Sequence, residues 1–281
     1  MMKRFRKMTT EEIQSVNLEI LKHIDKFCRE HNIRYWLDAG TLIGAIRHKG
    51  FIPWDDDADI CMPRPDYERF LKEYKDSSKY KLYAPEKKNC YLIYARLCEM
   101  EKTYFDVNAK WTSDSPGVGV DIFPLNGAPD TIEEFDAVVE QTKENQAKIL
   151  EYRRLLAPSR FRHDIVGFLK DCIHFVAKVT RRVCYRNQVD RTLSNHIAML
   201  RKYNYENSPS CYYLVVSMTR KKYWPKAWFE KSIEVDFCGE KFLAPIGYDE
   251  RLRRGYGDYM TPPPKSEQEV HSGWQTMWWR Y

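Results

Sequence analysis

The chain has 281 residues, of which 43% are hydrophobic and 14% aromatic, and its formal net charge is +6. This length fits one large domain or one domain with an insertion, and the composition excludes an intrinsically disordered protein. No uninterrupted apolar stretch reaches the roughly 18–20 residues of a membrane-spanning helix, so we expect none.

The N-terminal segment predicts the compartment. Residues 1–7 are basic, and polar residues 9–12 follow them instead of an apolar segment, so we expect no secretory signal and a cytoplasmic location. The eight cysteines show no Cys-x-x-Cys spacing and lie in apolar segments, which predicts reduced core residues. A zinc site assembled from distant cysteines is the alternative. These cysteines are Cys28, Cys61, Cys90, Cys98, Cys172, Cys184, Cys211 and Cys238.

The first predicted elements are a helix, a strand and a second helix start. Apolar residues recur at helical spacing over residues 10–30, with Thr9 or Thr10 available as a cap. Residues 33–38 form a short predicted strand, after which Gly40 and Thr41 open a brief helix through Ile46. Backbone N–H groups and the positive helix end at such a turn offer a seat for a phosphate.

Four carboxylates then stand within five positions, DDDAD at residues 55–59, between the apolar runs FIPW and ICM. If this stretch is extended, alternation directs Asp55, Asp57 and Asp59 to one face while Ala58 faces the core. Carboxylates crowded together stay ionised only with a strong positive charge among them, which a hard divalent cation supplies. A solvated acidic turn is the alternative, which the apolar flanks disfavour. The run lacks the glycine and glutamate positions of an EF-hand.

A later strand, residues 117–124, places Val118, Val120 and Ile122 on one side and Asp121 on the other. Asp121 is therefore expected to join the Asp55–Asp59 cluster from a neighbouring strand. A structural aspartate at a strand end is the alternative.

Two helices are predicted next. One starts at the capping box formed by Thr131 and Glu134 and runs toward Leu156. The other spans residues 164–184, with an apolar stripe from Ile165 to Val179 that either faces a core or lies on a membrane surface. Residues 151–202 hold twelve Lys or Arg against four Asp or Glu, a net +8 that suits phosphates, anionic lipids or anionic polymers.

Strands return in the C-terminal part, at residues 213–218 and in a hairpin over residues 233–242, before an aromatic tail. We therefore predict a catalytic core at residues 1–130, a helical basic insertion at 131–205, and C-terminal strands at 206–281 that complete the core.

Clustered carboxylates beside a phosphate seat indicate chemistry at a phosphorus bound to Mg²⁺ or Mn²⁺. Asp55, Asp57, Asp59 and Asp121 are the predicted metal ligands. One carboxylate must accept a proton from the attacking group, and Asp121 suits that role because it comes from a separate strand.

Several motifs resemble those of the LicD family of phosphocholine transferases, which is related to fukutin-type proteins. They are LDAGTLIGAIRH at residues 37–48, GFIPWDDDADI at 50–60, PRPDY at 63–67, VDIFPL at 120–125, and YGDYM at 256–260 followed by prolines. The resemblance is essentially absent between about residues 135 and 230.

The resemblance implies an α/β (α+β) fold with a nucleotidyltransferase-like mixed-sheet core. It also implies transfer of phosphocholine or a similar alcohol phosphate from a CDP-activated donor, CDP-choline above all. The acceptor would be a hydroxyl of a cell-surface glycan, such as lipopolysaccharide, capsule or teichoic acid, or of its lipid-linked precursor, and CMP would be released.

By position, Asp57 and Asp59 match the family's metal-binding Asp-x-Asp and are catalytic with Asp121, while Asp55 is a further ligand. Gly40 and Thr41 match the phosphate-contacting turn. Three more residues lie in matched blocks as candidate phosphate ligands, with helix-end or surface charges as the alternative: Arg47, His48 and Arg64. A choline head group needs an aromatic wall, for which Trp54, Tyr67 and the terminal tryptophans are candidates.

Two other functions stay open at this point. The first is a nucleotidyltransferase that moves NMP from an NTP, and the second is a non-catalytic, metal-dependent module that binds glycans or membrane surfaces. Nucleic-acid binding is not expected, because the basic residues share a segment with an apolar helical stripe and no RNA-binding motif is present. The basic segment predicts peripheral contact with the inner face of the membrane.

Overall fold

A computed structural model of the chain describes residues 5–87, 92–106, 117–156, 165–213, 219–268 and 276–280. Its α-helices are α1 Thr10–His31, α2 Ala39–His48, α3 Arg64–Glu73, α4 Ile132–Leu156, α5 Ile165–Leu200 and α6 Tyr248–Tyr256. Its strands are β1 Phe5–Lys7, β2 Trp36–Leu37, β3 Asp59–Pro63, β4 Tyr80–Tyr83, β5 Ala95–Glu99, β6 Thr103–Asp106, β7 Gly119–Gly127, β8 Ser210–Tyr212, β9 Tyr223–Pro225, β10 Ser232–Phe237, β11 Glu240–Pro245 and β12 Thr276–Arg280.

The central sheet is mixed, which confirms the predicted α/β class. Its strand order is β2-β3-β7-β5-β4, and β8 pairs with both β7 and β9. Strands β3 and β7 are parallel neighbours, whereas β2, β5 and β8 pair antiparallel with them. Both β3 and β7 are therefore interior strands, which explains why their residues are buried almost without alternation.

Helix α1 covers one face of this sheet, and its sequence specifies both its start and its buried side. The Thr9 hydroxyl accepts the Glu12 N–H at 3.3 Å, and the Glu12 carboxylate accepts the Thr9 N–H at 3.0 Å, a complete capping box. Ile13, Ile20 and Ile24 are buried at helical spacing, and the helix contacts β5 and β7. The predicted amphipathic helix is confirmed.

Helices α4 and α5 pack against each other, where Ile149, Leu193 and Ile197 form a small apolar cluster. The Glu134 N–H donates to the Thr131 hydroxyl at 3.2 Å, as expected for the capping box. Helix α5 continues well beyond the predicted end at residue 184. Of the two alternatives for the apolar stripe of α5, a stripe that faces a core along its whole length is wrong, because Ile173 and Val176 are 70% and 63% exposed. Among the described helices, none combines the length and apolar character needed to span a bilayer.

The C-terminal hairpin β10–β11 is confirmed. Its two-residue turn consists of Cys238 and Gly239, both with positive φ, the geometry of tight hairpin turns. Among the described cysteines, Cys28, Cys61, Cys98 and Cys211 are buried and all are free thiols. The prediction that the cysteines are core residues is wrong for Cys184 and Cys238, which are exposed. Cys90, Trp274 and most of the predicted strand at residues 213–218 lie outside the described residues.

Candidate active site

Two carboxylates lie side by side at the start of the parallel strands. Asp59 begins β3 and pairs in register with Asp121 of β7, and the Asp121 N–H donates to the Ala58 carbonyl at 2.9 Å. Parallel neighbours in register direct their side chains to the same face, about 4.8 Å apart at the backbone. The sheet therefore brings Asp121 to the cluster, as expected.

The rest of the run, residues 55–58, is a loop that leads into β3. The charges of Asp55 and Asp57 both act on Asp59, as the predicted alternation expects, and Ala58 is buried. Side chains of α1 hold this loop: Gln14 Nε2 donates to the Asp55 carbonyl at 2.7 Å, and Asn17 Nδ2 donates to the Asp56 carbonyl at 3.4 Å. Asp55 and Asp56 are buried, whereas Asp57 is partly exposed. These bonds from α1 cannot be seen in the local sequence of the loop.

The carboxylates perturb one another. Burial, followed by the charge of Asp57, raises the pKa of Asp55 to about 9. Burial and then the charges of Asp57, Asp121 and Asp55 raise the pKa of Asp59 well above its usual range. The four predicted carboxylates are therefore within electrostatic reach of one another. Because the site disfavours its own negative charge, a cation bound there would be strongly attracted.

A hard divalent cation fits this donor set, since every candidate ligand is a carboxylate oxygen. Among the described residues, no group of three or more His, Cys, Asp or Glu side chains is already arranged around one metal position. Mg²⁺ does not require such a cage, because it usually takes one or two carboxylates and completes its shell with waters and substrate phosphates. The metal-ligand roles of Asp55, Asp57, Asp59 and Asp121 stay predictions.

Sequence reasoning missed Arg96. This residue of β5 lies opposite Asp121 in register and binds both of its oxygens, Nη2 to Oδ2 at 2.7 Å and Nε to Oδ1. Burial raises the pKa of Asp121, and the Arg96 guanidinium opposes that increase. An arginine within an apolar strand was the available signal. Because Arg96 already neutralises Asp121, the less buried Asp57 becomes a second candidate for the proton acceptor.

The N-terminus of α2 meets the same carboxylates. A Cβ atom at Gly40 would lie 2.4 Å from Asp55 Oδ2, so only glycine allows this approach. The Thr41 hydroxyl accepts the Asp59 N–H at 2.9 Å. The helix begins one residue earlier than predicted, capped by Asp38, whose carboxylate accepts the Ala39 N–H at 2.8 Å. Gly40 and Thr41 are thus brought to the cluster, and their phosphate-binding role stays a prediction.

The structure does not bring three of the predicted phosphate ligands to the carboxylates. Arg47 and His48 end α2, roughly 11–12 Å along the helix from Gly40. There Arg47 donates to the Tyr259 carbonyl at 2.5 Å and to His48 Nδ1 at 3.3 Å.

Arg64 follows the far end of β3, roughly 16 Å from Asp59 along the strand. It binds Asn126 at 2.7 Å and Glu86 at 3.1 Å. Arg47 and Arg64 therefore have structural partners in this geometry. The phosphate-binding roles of Arg47, His48 and Arg64 stay predictions.

The aromatic head-group candidates are also separated. Tyr67 is fully buried and donates to Glu86 at 3.1 Å, so it belongs to the core. Trp54 is partly exposed, precedes Asp55 in the chain, and contacts the His48 ring with 6.4 Å between centroids. Trp278 and Trp279 lie in β12, which pairs with β1 and β6 in a separate sheet. Trp54 is the candidate that the structure leaves next to the carboxylate run.

A basic and aromatic group from the C-terminal part faces the cluster, and sequence reasoning assigned it no role. Arg251 of α6 forms a buried ion pair with Asp38 and donates to the Tyr213 hydroxyl at 3.0 Å. Desolvation raises the pKa of the Tyr256 phenol, Arg251 opposes this, and Asp38, Asp59 and Asp55 add to the increase. Tyr256 is therefore within electrostatic reach of the carboxylates, although half of it is exposed.

Comparison with known proteins gives a family for this site. Residues 32–153 match the family model described as LicD/FKTN/FKRP, nucleotidyltransferase domain. This part of the chain is therefore similar to a LicD-family domain. The lipopolysaccharide cholinephosphotransferase LicD of Haemophilus influenzae is 29% identical over 95% of this chain and 97% of its own length. Human ribitol 5-phosphate transferase FKRP is 57% identical over 28 residues, which are 10% of this chain and 6% of that protein. The resemblance seen in the sequence is confirmed.

The matched domain contains every carboxylate of the cluster, together with Gly40, Thr41 and Arg96. It does not contain Tyr213, Arg251 or Tyr256. The similarity to the Haemophilus influenzae protein extends over nearly all of both chains. Tyr213, Arg251 and Tyr256 therefore lie outside the family model, in a part of the chain that is compared only with the full-length relative.

Proposed function

We propose that this chain is a phosphotransferase that moves phosphocholine, or a similar alcohol phosphate, from a CDP-activated donor to a hydroxyl of a cell-surface glycan or its lipid-linked precursor. The main support is the in-register pair Asp59 and Asp121 within a LicD-family domain. The full-length similarity to a lipopolysaccharide cholinephosphotransferase favours choline as the head group and a glycan as the acceptor.

Asp57 and Asp59 would hold Mg²⁺ or Mn²⁺, with Asp55 and Asp121 close enough to contribute. When bound, the metal would neutralise and orient the donor diphosphate and stabilise the leaving group. The other contributions come from the chain itself. Gly40 keeps the N-terminus of α2 against Asp55, so the positive end of the helix faces the place where phosphate oxygens would lie.

In the reaction, the acceptor hydroxyl oxygen bonds to the phosphorus that carries the alcohol. The bond from that phosphorus to the bridging oxygen breaks, and its electron pair leaves with CMP. The hydroxyl proton passes to a carboxylate, either Asp121 as predicted from the sequence or Asp57. Because Arg96 binds both oxygens of Asp121, Asp57 has the greater freedom to accept it.

The test is a panel of CDP-alcohols, headed by CDP-choline, incubated with a glycan acceptor and Mg²⁺ or Mn²⁺ while CMP is measured. We expect CMP release from wild type and its loss in Asp57→Asn and Asp59→Asn. Asp236→Asn is the matched control, since Asp236 is exposed on β10 and pairs with Lys241. Undiminished CMP release from a folded Asp57→Asn, Asp59→Asn double variant would contradict the proposal.

A second candidate is a nucleotidyltransferase that moves NMP from an NTP, favoured by the description of the matched domain. The two reactions leave different products. Pyrophosphate released from an NTP in the presence of an acceptor, without CMP from any CDP-alcohol, would decide for this second function.

Peripheral membrane contact is part of the proposal, and α5 supports it. Ile173, Val176 and Val179 are exposed at helical spacing on a helix with six Lys or Arg and two Asp residues. Apolar side chains combined with positive charge suit an anionic lipid surface. Neutralising Lys170, Lys178, Arg181 and Arg182 together should weaken sedimentation with phosphatidylglycerol vesicles. Unchanged binding would contradict this contact, and pure phosphatidylcholine vesicles are the control.

A further inference from the structure

The ammonium group of Lys222 lies in an aromatic enclosure beside the candidate active site. It stands 4.4 Å from the Tyr213 ring centroid and 5.7 Å from that of Trp224, and it donates to the Tyr213 hydroxyl at 3.3 Å. Tyr213 and Trp224 are almost fully buried. Within the described part of the chain, no carboxylate comes within 4.0 Å of this ammonium.

The neighbouring cation, Arg251, differs from Lys222 in having an ion-pair partner. Arg251 also lies over Trp224, at 4.8 Å, but it is paired with Asp38. Burial and then the charge of Arg251 lower the pKa of Lys222 to about 8, while Asp38 and Asp59 act in the opposite direction. Lys222 is thus within electrostatic reach of Asp59, and no described carboxylate forms an ion pair with it. A partly buried cation in this state is stabilised by any anion that reaches it.

The backbone connects Lys222 to the sheet that carries the carboxylates. A 3₁₀ turn at Arg220–Lys222 carries the residue, and the Lys222 N–H donates to the Thr219 carbonyl at 3.0 Å. Strand β9 follows at once and pairs with β8, which pairs with the end of β7, the strand of Asp121. The ammonium therefore belongs to the same sheet assembly as the carboxylates, although Lys222 follows Asp121 by about a hundred residues.

We propose that Lys222 is a phosphate-binding residue that contacts the donor's diphosphate from the side opposite the carboxylates. This rests on the proposed function, because a CDP-alcohol places a diphosphate between the two groups. The same geometry excludes the Tyr213 and Trp224 faces as a choline cage, since Lys222 and Arg251 already occupy them and would repel a second cation.

The test compares Lys222→Met with Lys221→Met, because Lys221 is the exposed neighbour in the same turn. Calorimetry with Mg²⁺ measures the binding of CDP-choline, CMP and cytidine. We expect Lys222→Met to weaken CDP-choline and CMP by about tenfold to a hundredfold, the range of a charge-assisted hydrogen bond, and cytidine not at all. Lys222→Arg should recover part of the loss, and Lys221→Met should match wild type. Equal loss for cytidine, or no loss for CDP-choline, would overturn the proposal.

A measurement on wild type covers the case in which Lys222→Met does not fold. Acetic anhydride labels accessible amines, and mass spectrometry follows Lys222 and Lys221 with and without inorganic pyrophosphate and Mg²⁺. Protection of Lys222 but not Lys221 supports the phosphate site, and equal labelling overturns it. Protection in a protein that releases no CMP from any CDP-alcohol would leave this site standing while the proposed function fails.

Discussion

Replacing Arg96 by methionine tests whether the carboxylate cluster depends on one internal counter-charge. In wild type, the guanidinium binds both oxygens of Asp121, and Asp121 lies in register with Asp59. Methionine retains much of the side-chain volume but removes the charge. Asp121 is then left at 7% exposure, next to other carboxylates and without its partner.

Removing one member of a buried ion pair costs about 3–5 kcal/mol. We expect the lower end, about 3 kcal/mol, because the Arg96 side chain keeps 18% of its surface exposed and water can partly screen Asp121. For a chain of this size that lowers the unfolding temperature by roughly 6–12 °C. Arg96→Met combined with Asp121→Asn should recover most of the loss, since no unpaired charge remains.

The assay is urea unfolding of wild type, both single variants and the double variant, each with and without millimolar Mg²⁺. A metal that binds the folded carboxylates stabilises the folded state by mass action. Mg²⁺ should therefore restore more stability to Arg96→Met, whose cluster carries one more uncompensated negative charge, than to wild type. Additive effects of the two substitutions, or an Arg96→Met variant as stable as wild type, would refute this reasoning.

Three further predictions concern single positions. Gly40→Ala should abolish CMP release with little loss of stability, because the added Cβ displaces only the Asp55 carboxylate. Gly44→Ala should instead destabilise the fold, because its Cβ would lie 2.4 Å from the Gly50 carbonyl oxygen. Activity assays and thermal unfolding separate these two results, and a fully active Gly40→Ala would contradict the first. Thr41→Val leaves the Asp59 N–H without its acceptor and should cost about 1–3 kcal/mol in urea unfolding, whereas Thr41→Ser should not. His196 is 1% exposed, and burial, aided by Arg64, lowers its pKa from 6.5 to about 4. The unfolded state therefore binds the extra proton first, and stability present above pH 6.5 is lost as the pH falls toward 4, by about 2 kcal/mol at pH 5. Urea unfolding of His196→Leu should lack that part of the pH dependence, and an unchanged dependence would contradict it.

The local sequence determined the elements whose causes are local. The capping box at Thr9 starts α1, the Thr131 hydroxyl caps the start of α4, and the apolar spacing of α1 selects its buried face. The carboxylate run predicted a cation site, because like charges so close together need a counter-charge. The bonds by which Gln14 and Asn17 of α1 hold the loop at residues 55–58 could not be read from that local sequence.

Tertiary structure alone decided which charges meet. Arg96 reaches Asp121 through strand register, and Arg251 reaches Asp38 from the other end of the chain. The same packing keeps Arg64 at the far end of β3, on Glu86 and Asn126. The physical reason is one of range. Caps and periodicity act over a few residues and are written in the sequence, whereas the partner of a buried charge is set by the register and packing of strands that are distant in the chain.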